Sequence, residues 1–139
     1  MLFRSPVTAF CAMALVERGL LALDEPVWRR MRSYRLPAHR TGGFDGDGVT
    51  LRRLLSHSAG IEPEGYGWCE GESAPSAKEL LEDETDEAHA LRLVEPPGSS
   101  LRYSGAGFVL AQLLMEDVTG LPFPVLARLV ATRVHDGSL

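Results

Sequence analysis

An apolar helix with a marked start and a marked end lies near the beginning of the chain. Ser5 is a residue type that accepts a hydrogen bond from a free N–H of the first helical turn, so it predicts the N-cap. Pro6 suits the first helical position, and Gly19 suits the left-handed residue that ends a helix. Residues 9–16 are apolar without a break, which is typical of a buried helix. The pattern predicts a helix over residues 6–18 that the rest of the domain surrounds on all sides.

Length and charge limit the classes of protein that are open. The chain has 139 residues, 45% of them hydrophobic, and a formal net charge of −5, which suits one globular domain with a real core. The negative charge argues against nucleic acid or anionic membrane as a partner, because both reward a basic surface. The first helix is too short to span a bilayer, and its flanks do not resemble a signal peptide. Cys11 is interpreted as a core residue and Cys69 as a loop residue; a disulfide between them is not expected but stays open.

Caps and turn-forming residues divide the rest of the chain into short helices. The expected helices cover about residues 26–32, 51–56, 76–87, 106–118 and 122–134. Their start and stop signals are Thr50, Ser104, a capping box from Ser76 to Glu79, Gly60 and Gly120. Residues 88–94 predict a further turn, and almost no segment is typical of a strand. The sequence therefore predicts a mainly α fold of about six helices.

Taken one at a time, the polar candidates admit structural or catalytic interpretations. Ser5 stands in the positive dipole field of a helix N-terminus, which would help a nucleophile, but serine is also a common plain N-cap. His57 is interpreted first as a histidine that shapes the turn after a helix. Tyr103 offers a phenol that acts as a general base only if cations lower its pKa. His89 and His135 have no ligand-like spacing with cysteines or carboxylates, so no metal site is expected.

Together and in this order, the segments resemble the serine beta-lactamase-like hydrolases, which include class C beta-lactamases, D-alanyl-D-alanine carboxypeptidases and related esterases. The similar segments are residues 6–10, 15–19 and 23–27 around the family's active-site helix, 49–61 with its His-Thr-Ser-Gly-type turn, 97–99 and 103–105 with its Tyr-Ser-Asn segment, and 118–120. In that family the serine of a Ser-x-x-Lys pair attacks a carbonyl and forms an acyl-enzyme, while lysine and tyrosine handle its proton. A Lys-Thr-Gly strand lines the other wall and supplies part of the oxyanion hole. The resemblance implies acyl-serine hydrolysis of a beta-lactam, a D-Ala peptide or an ester, without a cofactor.

The catalytic positions that the resemblance implies are only partly filled. Tyr103 takes the position of the tyrosine base. Leu2 takes the position of the nucleophile and Ser5 that of the lysine. If Ser5 is instead the nucleophile, Thr8 takes the lysine position and supplies no cation. No Lys-Thr-Gly follows residue 120. The chain is therefore expected to be catalytically incomplete.

The other implied site residues border the tyrosine or support it. Ser104 and Gly105 are implied on the substrate-binding side, with glycine where the family has asparagine. His57 and Gly60 are implied to be structural. The hydroxyl of Tyr103 is expected within one or two hydrogen-bond lengths of the first turn of the first helix. Residues 9–16 are expected to be the most buried run in the chain.

The resemblance makes the chain the helical portion of the beta-lactamase/transpeptidase-like α/β fold, with the antiparallel sheet largely missing. It implies one partial domain over residues 1–139, with the active-site helix at about 6–18 and a helical subdomain at about 24–134. The expected ligand is a small-molecule beta-lactam, peptide or ester. Two alternatives stay open: a non-catalytic binding or structural protein that keeps the helical scaffold, and half of a split hydrolase that needs a complementary chain carrying the sheet. Most of the family works in the periplasm or outside the cell, but nothing in the chain assigns a compartment.

Overall fold

The computed structural model describes residues 4–66, 76–83 and 89–137, and for residues 4 and 5 it describes the backbone alone. The helices of this part of the chain are α1 (Arg4–Glu17), α2 (Leu51–Leu55), α3 (Ala77–Glu82), α4 (Gly105–Thr119) and α5 (Phe123–His135). Two short strands are β1 (Ile61–Glu62) and β2 (Arg92–Leu93). Single 3-10 turns cover Val27–Arg29, Ala38–Arg40 and Gly46–Gly48. The predicted mainly helical architecture is confirmed.

Helix α4 lies at the centre and contacts α1, α2, α3, α5 and β1. The Ser104 hydroxyl caps it by accepting a 2.9 Å hydrogen bond from the Gly107 N–H. Gly120 ends it in the left-handed conformation, at φ 71°. Every residue of α4 is buried or half-buried. Both predicted caps are confirmed, and the helix is one residue longer at each end than predicted.

The polar residues of α4 bind other elements. The Gln112 amide donates a 2.9 Å hydrogen bond to the hydroxyl of Thr8 on α1. Glu116 accepts the first N–H of α5 at 2.9 Å. Asp117 accepts the backbone N–H groups of residues 32 and 33 at 2.6 and 3.0 Å. The bonds to Glu116 and Asp117 satisfy free N–H groups at the start of α5 and in the loop after Val27–Arg29. The polar residues of α4 therefore connect it to its neighbours.

The start of α1 differs from the prediction. Ser5 lies inside the helix, so its assignment as the N-cap is wrong. Pro6 is tolerated after an earlier start because the N–H groups of the whole first turn have no acceptor within the helix. The observed end at Glu17 is one residue before the predicted end.

Burial of α1 also differs from the prediction. One face is buried, with Thr8, Cys11 and Ala12 at most 1% exposed. The opposite face carries Phe10 and Met13, which are 51% and 46% exposed. The prediction that the helix is enclosed on all sides is therefore wrong for this part of the chain. So is the prediction that residues 9–16 form the most buried run, because α4 is more completely covered.

The smaller helices begin at the predicted caps, but their ends differ from the predicted bounds. Thr50 caps α2 by accepting from the Arg53 N–H, and Ser76 and Glu79 form the predicted capping box of α3. α3 ends at Glu82, and residues 84–88 lie outside the described residues. The segment predicted as helix over 26–32 contains only a 3-10 turn.

The segment from 88 to 94, predicted as a turn, contains β2. This strand pairs antiparallel with β1, Ile61 opposite Leu93 and Glu62 opposite Arg92. Ile61 and Leu93 are both buried, at 1% and 3% exposure, so the pair closes one side of the core. A strand of two residues is too short to be distinguished from a turn by the periodicity of its sequence.

Among the described residues, no single helix is long and apolar enough to cross a membrane, whereas α4 and α5 taken together, with a 79° bend between them, have the length and composition of a broken span.

Candidate active site

The segment that carries Tyr103 is held by the turn that follows α2. His57 in this turn has a left-handed backbone, at φ 55°. Its carbonyl accepts a 2.7 Å hydrogen bond from the Arg102 N–H, and its Nδ1 accepts a 3.0 Å bond from the Ser104 N–H. Its ring stacks on Tyr103, with centroids 4.4 Å apart and planes 28° apart, and lies 4.9 Å from the ring of Phe108. A single histidine thus contacts three successive residues ahead of α4.

The protonation of His57 follows from these contacts. Partial burial lowers the pKa of the imidazole below its usual range, because desolvation disfavours the charged ring. The bond from the Ser104 N–H requires Nδ1 to be an acceptor. The hydrogen-bond geometry therefore assigns the ring proton to Nε2 at neutral pH.

Gly105 provides the close approach between α4 and the loop after β1. Its N–H donates to the Glu64 carbonyl at 2.6 Å, and the next N–H, that of Ala106, donates to the Pro63 carbonyl at 3.3 Å. A Cβ at position 105 would lie 2.7 Å from the Glu64 carbonyl oxygen and 3.1 Å from the Cα of Gly65. Glycine at the position of the family's asparagine thus fits a loop that occupies the space of a side chain.

Gly60 serves a different close contact. It has a left-handed backbone, at φ 74°, and a Cβ there would lie 2.4 Å from the Glu95 carbonyl oxygen. Its own carbonyl accepts a 2.9 Å bond from the Val94 N–H. Gly60 therefore lets the end of α2 and the chain after β2 run side by side.

Arg102, the residue before Tyr103, is held by carboxylates. Its guanidinium bonds Glu62 at 2.9 Å and also bonds Glu95. Glu62 in turn accepts a 2.6 Å bond from Arg92, and Glu95 accepts a 2.5 Å bond from the Ser100 hydroxyl. The Ser100 and Arg102 bonds lower the pKa of Glu95 below its usual range. The cation that is next to Tyr103 in sequence is therefore balanced by two carboxylates.

The remaining implied catalytic positions are not brought into view. Leu2 lies outside the described residues, and for Ser5 only the backbone in the first turn of α1 is described. The expected closeness of Tyr103 to that turn stays a prediction. Thr8, at the alternative lysine position, is fully buried and bonded to Gln112. The structure therefore describes the surroundings of Tyr103 and not the side chains at the implied nucleophile and lysine positions.

Of the two cysteines, the structure describes one. Cys11 is free and buried, and burial raises the pKa of its thiol. Cys69 lies outside the described residues. Within the described ranges, no group of three or more histidine, cysteine, aspartate or glutamate residues is placed to hold a metal ion.

Sequence reasoning missed two features of this site. It expected His57 to support the turn after its own helix and did not foresee the contact with Tyr103. It also did not foresee that the loop at residues 63–65 closes on Gly105. Both contacts join segments about 40 or more residues apart in sequence. No local spacing signals such a contact.

The described helices form a helical layer around α4, and the Tyr-Ser-Gly segment ahead of α4 is supported by the turn at His57. The Beta-lactamase family model matches residues 6–134, and the chain belongs to that family.

Individual relatives agree with this assignment. The chain is 29% identical over 120 residues to penicillin-binding protein 4* of Bacillus subtilis (strain 168), covering 85% of this chain and 24% of that protein. It is 34% identical over 130 residues to esterase EstB of Burkholderia gladioli, covering 84% of this chain and 31% of that protein. Among solved structures it is similar to a D-stereospecific amidohydrolase from Streptomyces sp., with a TM-score of 0.69 and 30% identity over 90% of this chain and 38% of that chain.

The chain spans about a quarter to two fifths of the length of these relatives. Their folds are beta-lactamase/transpeptidase-like, and the helices described here fit the helical part of that fold.

Proposed function

We propose that this chain is the helical layer of a serine acyl hydrolase and that by itself it does not turn over substrate. The observation that carries the proposal is the contrast between the two sides of the site. The tyrosine side is built, with Tyr103 stacked on His57 and Gly105 closed by the loop after β1. The positions implied for nucleophile and lysine hold Leu2 and Ser5. A nucleophile without its base is a poor catalyst, because the members of such a unit act together.

The substrate class follows from the same family. The relatives are named as a penicillin-binding protein, an esterase and an amidohydrolase. Esters and amides share a carbonyl that a serine can attack to form an acyl-enzyme. A beta-lactam, a D-Ala peptide or an ester is therefore the ligand to test on this chain.

Turnover assays test the proposal directly. We expect no hydrolysis of a chromogenic cephalosporin or of a short acyl ester above the uncatalysed rate, because losing the nucleophile–base unit costs several orders of magnitude. Ser5→Ala is the control for the alternative register. Turnover that disappears in Ser5→Ala would show that Ser5 is the nucleophile and that the proposal is wrong.

A repair experiment asks what else is lacking. Leu2→Ser with Ser5→Lys restores the Ser-x-x-Lys pair but not a Lys-Thr-Gly strand. We expect this double variant to stay slow, because an oxyanion donor is worth roughly 10²–10³ in rate. Rates from the double variant that approach those of a complete enzyme of the family would contradict the idea that the wall formed by the Lys-Thr-Gly strand is needed.

A second candidate, half of a split hydrolase, is favoured by the uncovered face of α1 and α5. Exposed apolar side chains of these two helices are Val7, Phe10, Met13, Val125, Leu129 and Val134. A cavity of about 580 Å³ runs between Phe10, Met13 and Val134. Large exposed apolar surface of this kind marks an interaction site or drives aggregation. We propose that a complementary chain carrying the sheet covers it, since the first and last described helices form the face together and the relatives extend well beyond the matched region.

Charge substitutions separate this candidate from a self-contained scaffold that is a non-catalytic binding or structural protein. If the face lacks its cover, the isolated chain should bind a hydrophobic dye and self-associate, and Phe10→Asp should reduce both. Leu101→Asp is the matched control, because Leu101 is 79% exposed outside this face. A monodisperse monomer with a sharp melt and no dye binding would favour the self-contained scaffold.

A further inference from the structure

We propose that His57 is the positioning residue of Tyr103, holding the phenol at a fixed place ahead of α4. The inference rests on the proposed function in that Tyr103 occupies the position of the family's tyrosine base. The contacts that support this inference all lie among the described residues.

The backbone on both sides of Tyr103 is bonded to His57. The N–H of the preceding residue, Arg102, donates to the His57 carbonyl at 2.7 Å. The N–H of the following residue, Ser104, donates to the His57 Nδ1 at 3.0 Å. Because the two bonds bracket Tyr103, they fix the direction in which its side chain leaves the backbone.

The ring of Tyr103 is held as well. Tyr103 is 51% exposed, so burial alone does not restrain its ring. The imidazole of His57 lies against one face of the phenol, at 4.4 Å between centroids. The same imidazole is backed by Phe108 in the first turn of α4, at 4.9 Å. The imidazole therefore connects Tyr103 to the central helix through two ring contacts, at separations that favour aromatic interaction.

The backbone of His57 is unusual in a way that fits this role. Among the described residues, it is the non-glycine residue in the left-handed region, at φ 55°. A left-handed histidine is uncommon, and such a conformation persists when the surroundings fix it. Here the turn is fixed by bonds from the N–H groups of His57 and Ser58 to the carbonyls of Leu54 and Arg53, at 3.3 and 2.8 Å. The conformation turns the carbonyl and the ring of one residue toward the same segment.

The acceptor and the ring of His57 can be removed one at a time. His57→Asn keeps an acceptor near the place of Nδ1 and tolerates a left-handed backbone, but it has no ring. His57→Phe keeps a ring and has no acceptor. His135→Asn is the control, because His135 lies exposed in the last turn of α5. The ring resonances of Tyr103 are identified by their loss in Tyr103→Phe.

Nuclear magnetic resonance of the full chain gives the readout, with no turnover needed. We expect His57→Asn to move the Tyr103 ring resonances toward those of a free tyrosine while the Ser104 amide stays protected from exchange. We expect His57→Phe to make the Ser104 amide exchange about tenfold faster. His57→Phe strains the backbone, so His57→Asn decides. Tyr103 ring resonances that are the same in His57→Asn as in the natural chain would overturn the proposal, whatever the turnover assays show.

Discussion

Helices α1 and α4 are similar in length and apolar composition, yet they are covered to different extents. α4 spans 15 residues and α1 spans 14. No residue of α4 is exposed, because α1, α2, α3, α5 and β1 surround it. α1 contacts α4 and α5, and Phe10 and Met13 on its other face remain about half exposed. An apolar run shows that a helix needs cover, and the neighbouring elements decide whether it has that cover.

The two helices also begin differently. α4 starts at the Ser104 cap, whose hydroxyl accepts a hydrogen bond from the Gly107 N–H. The Ser104 N–H donates to His57, and the next two N–H groups donate to carbonyls of the loop after β1. The first turns of α1 are linked to α4 by the part-buried 2.9 Å bond from the Gln112 amide to the Thr8 hydroxyl. Among the described residues, the start of α4 is therefore held by more hydrogen bonds to other elements than the start of α1.

The largest expected difference is between core truncations in the two helices. Leu110→Ala on α4 should lower the free energy of unfolding by about 2–5 kcal/mol, because Leu110 is fully buried and its loss leaves a cavity. Met13→Ala on α1 should cost less than about 1 kcal/mol, because Met13 is 46% exposed. Urea unfolding of both variants measures the two values. Equal losses would mean that the open face of α1 is covered in solution.

The next effect concerns the tight start of α4. Gly105→Asn introduces the asparagine that the resemblance implies at this position and should destabilise the chain by about 1–3 kcal/mol, because its Cβ would meet the Glu64 carbonyl oxygen at 2.7 Å. Gly46→Ala is the control, since the nearest atom to a Cβ there lies 3.6 Å away. Thermal melts of the two variants suffice. An unchanged melting temperature for Gly105→Asn would show that the loop at residues 63–65 moves aside.

The two serines near the helix starts should differ by a smaller amount. Ser104→Ala should cost about 1 kcal/mol, because it removes the acceptor for the Gly107 N–H. Ser5→Ala should cost nothing, because Ser5 lies within α1 and alanine is the better helix former. Denaturant midpoints compare the pair. A loss in Ser5→Ala as large as that in Ser104→Ala would restore Ser5 as a cap.

The smallest effect is the pH dependence of the link at the start of α4. Burial lowers the pKa of folded His57 below the unfolded value of about 6.5. Between the two values the unfolded chain binds more protons, so stability rises with pH and reaches its full value above about 6.5. Urea midpoints at pH 5.5 and 7.5 should therefore differ less in His57→Asn than in the natural chain. His135→Asn should keep the natural difference, and a natural slope in His57→Asn would assign the effect to another group.

Local signals in the sequence determined where several helices begin and end. Thr50, Ser76 and Ser104 each cap the helix they were expected to cap, and Gly120 ends α4. A cap depends on a bond between residues two or three apart, so the residues beside it suffice to predict it. The family was likewise readable, because the order of its short motifs is a property of the chain.

Tertiary structure alone decided the rest. The exposure of Phe10 depends on which layers surround α1, and nothing within that helix records them. β1 and β2 were missed because a two-residue strand exists only through its partner. The bond from the Ser104 N–H to His57 joins residues 47 apart, so the turn after α2 and the start of α4 meet only once the core has formed. The capped ends of the helices depend on local bonds and could be predicted, whereas the surroundings of Tyr103 depend on contacts that only packing brings together.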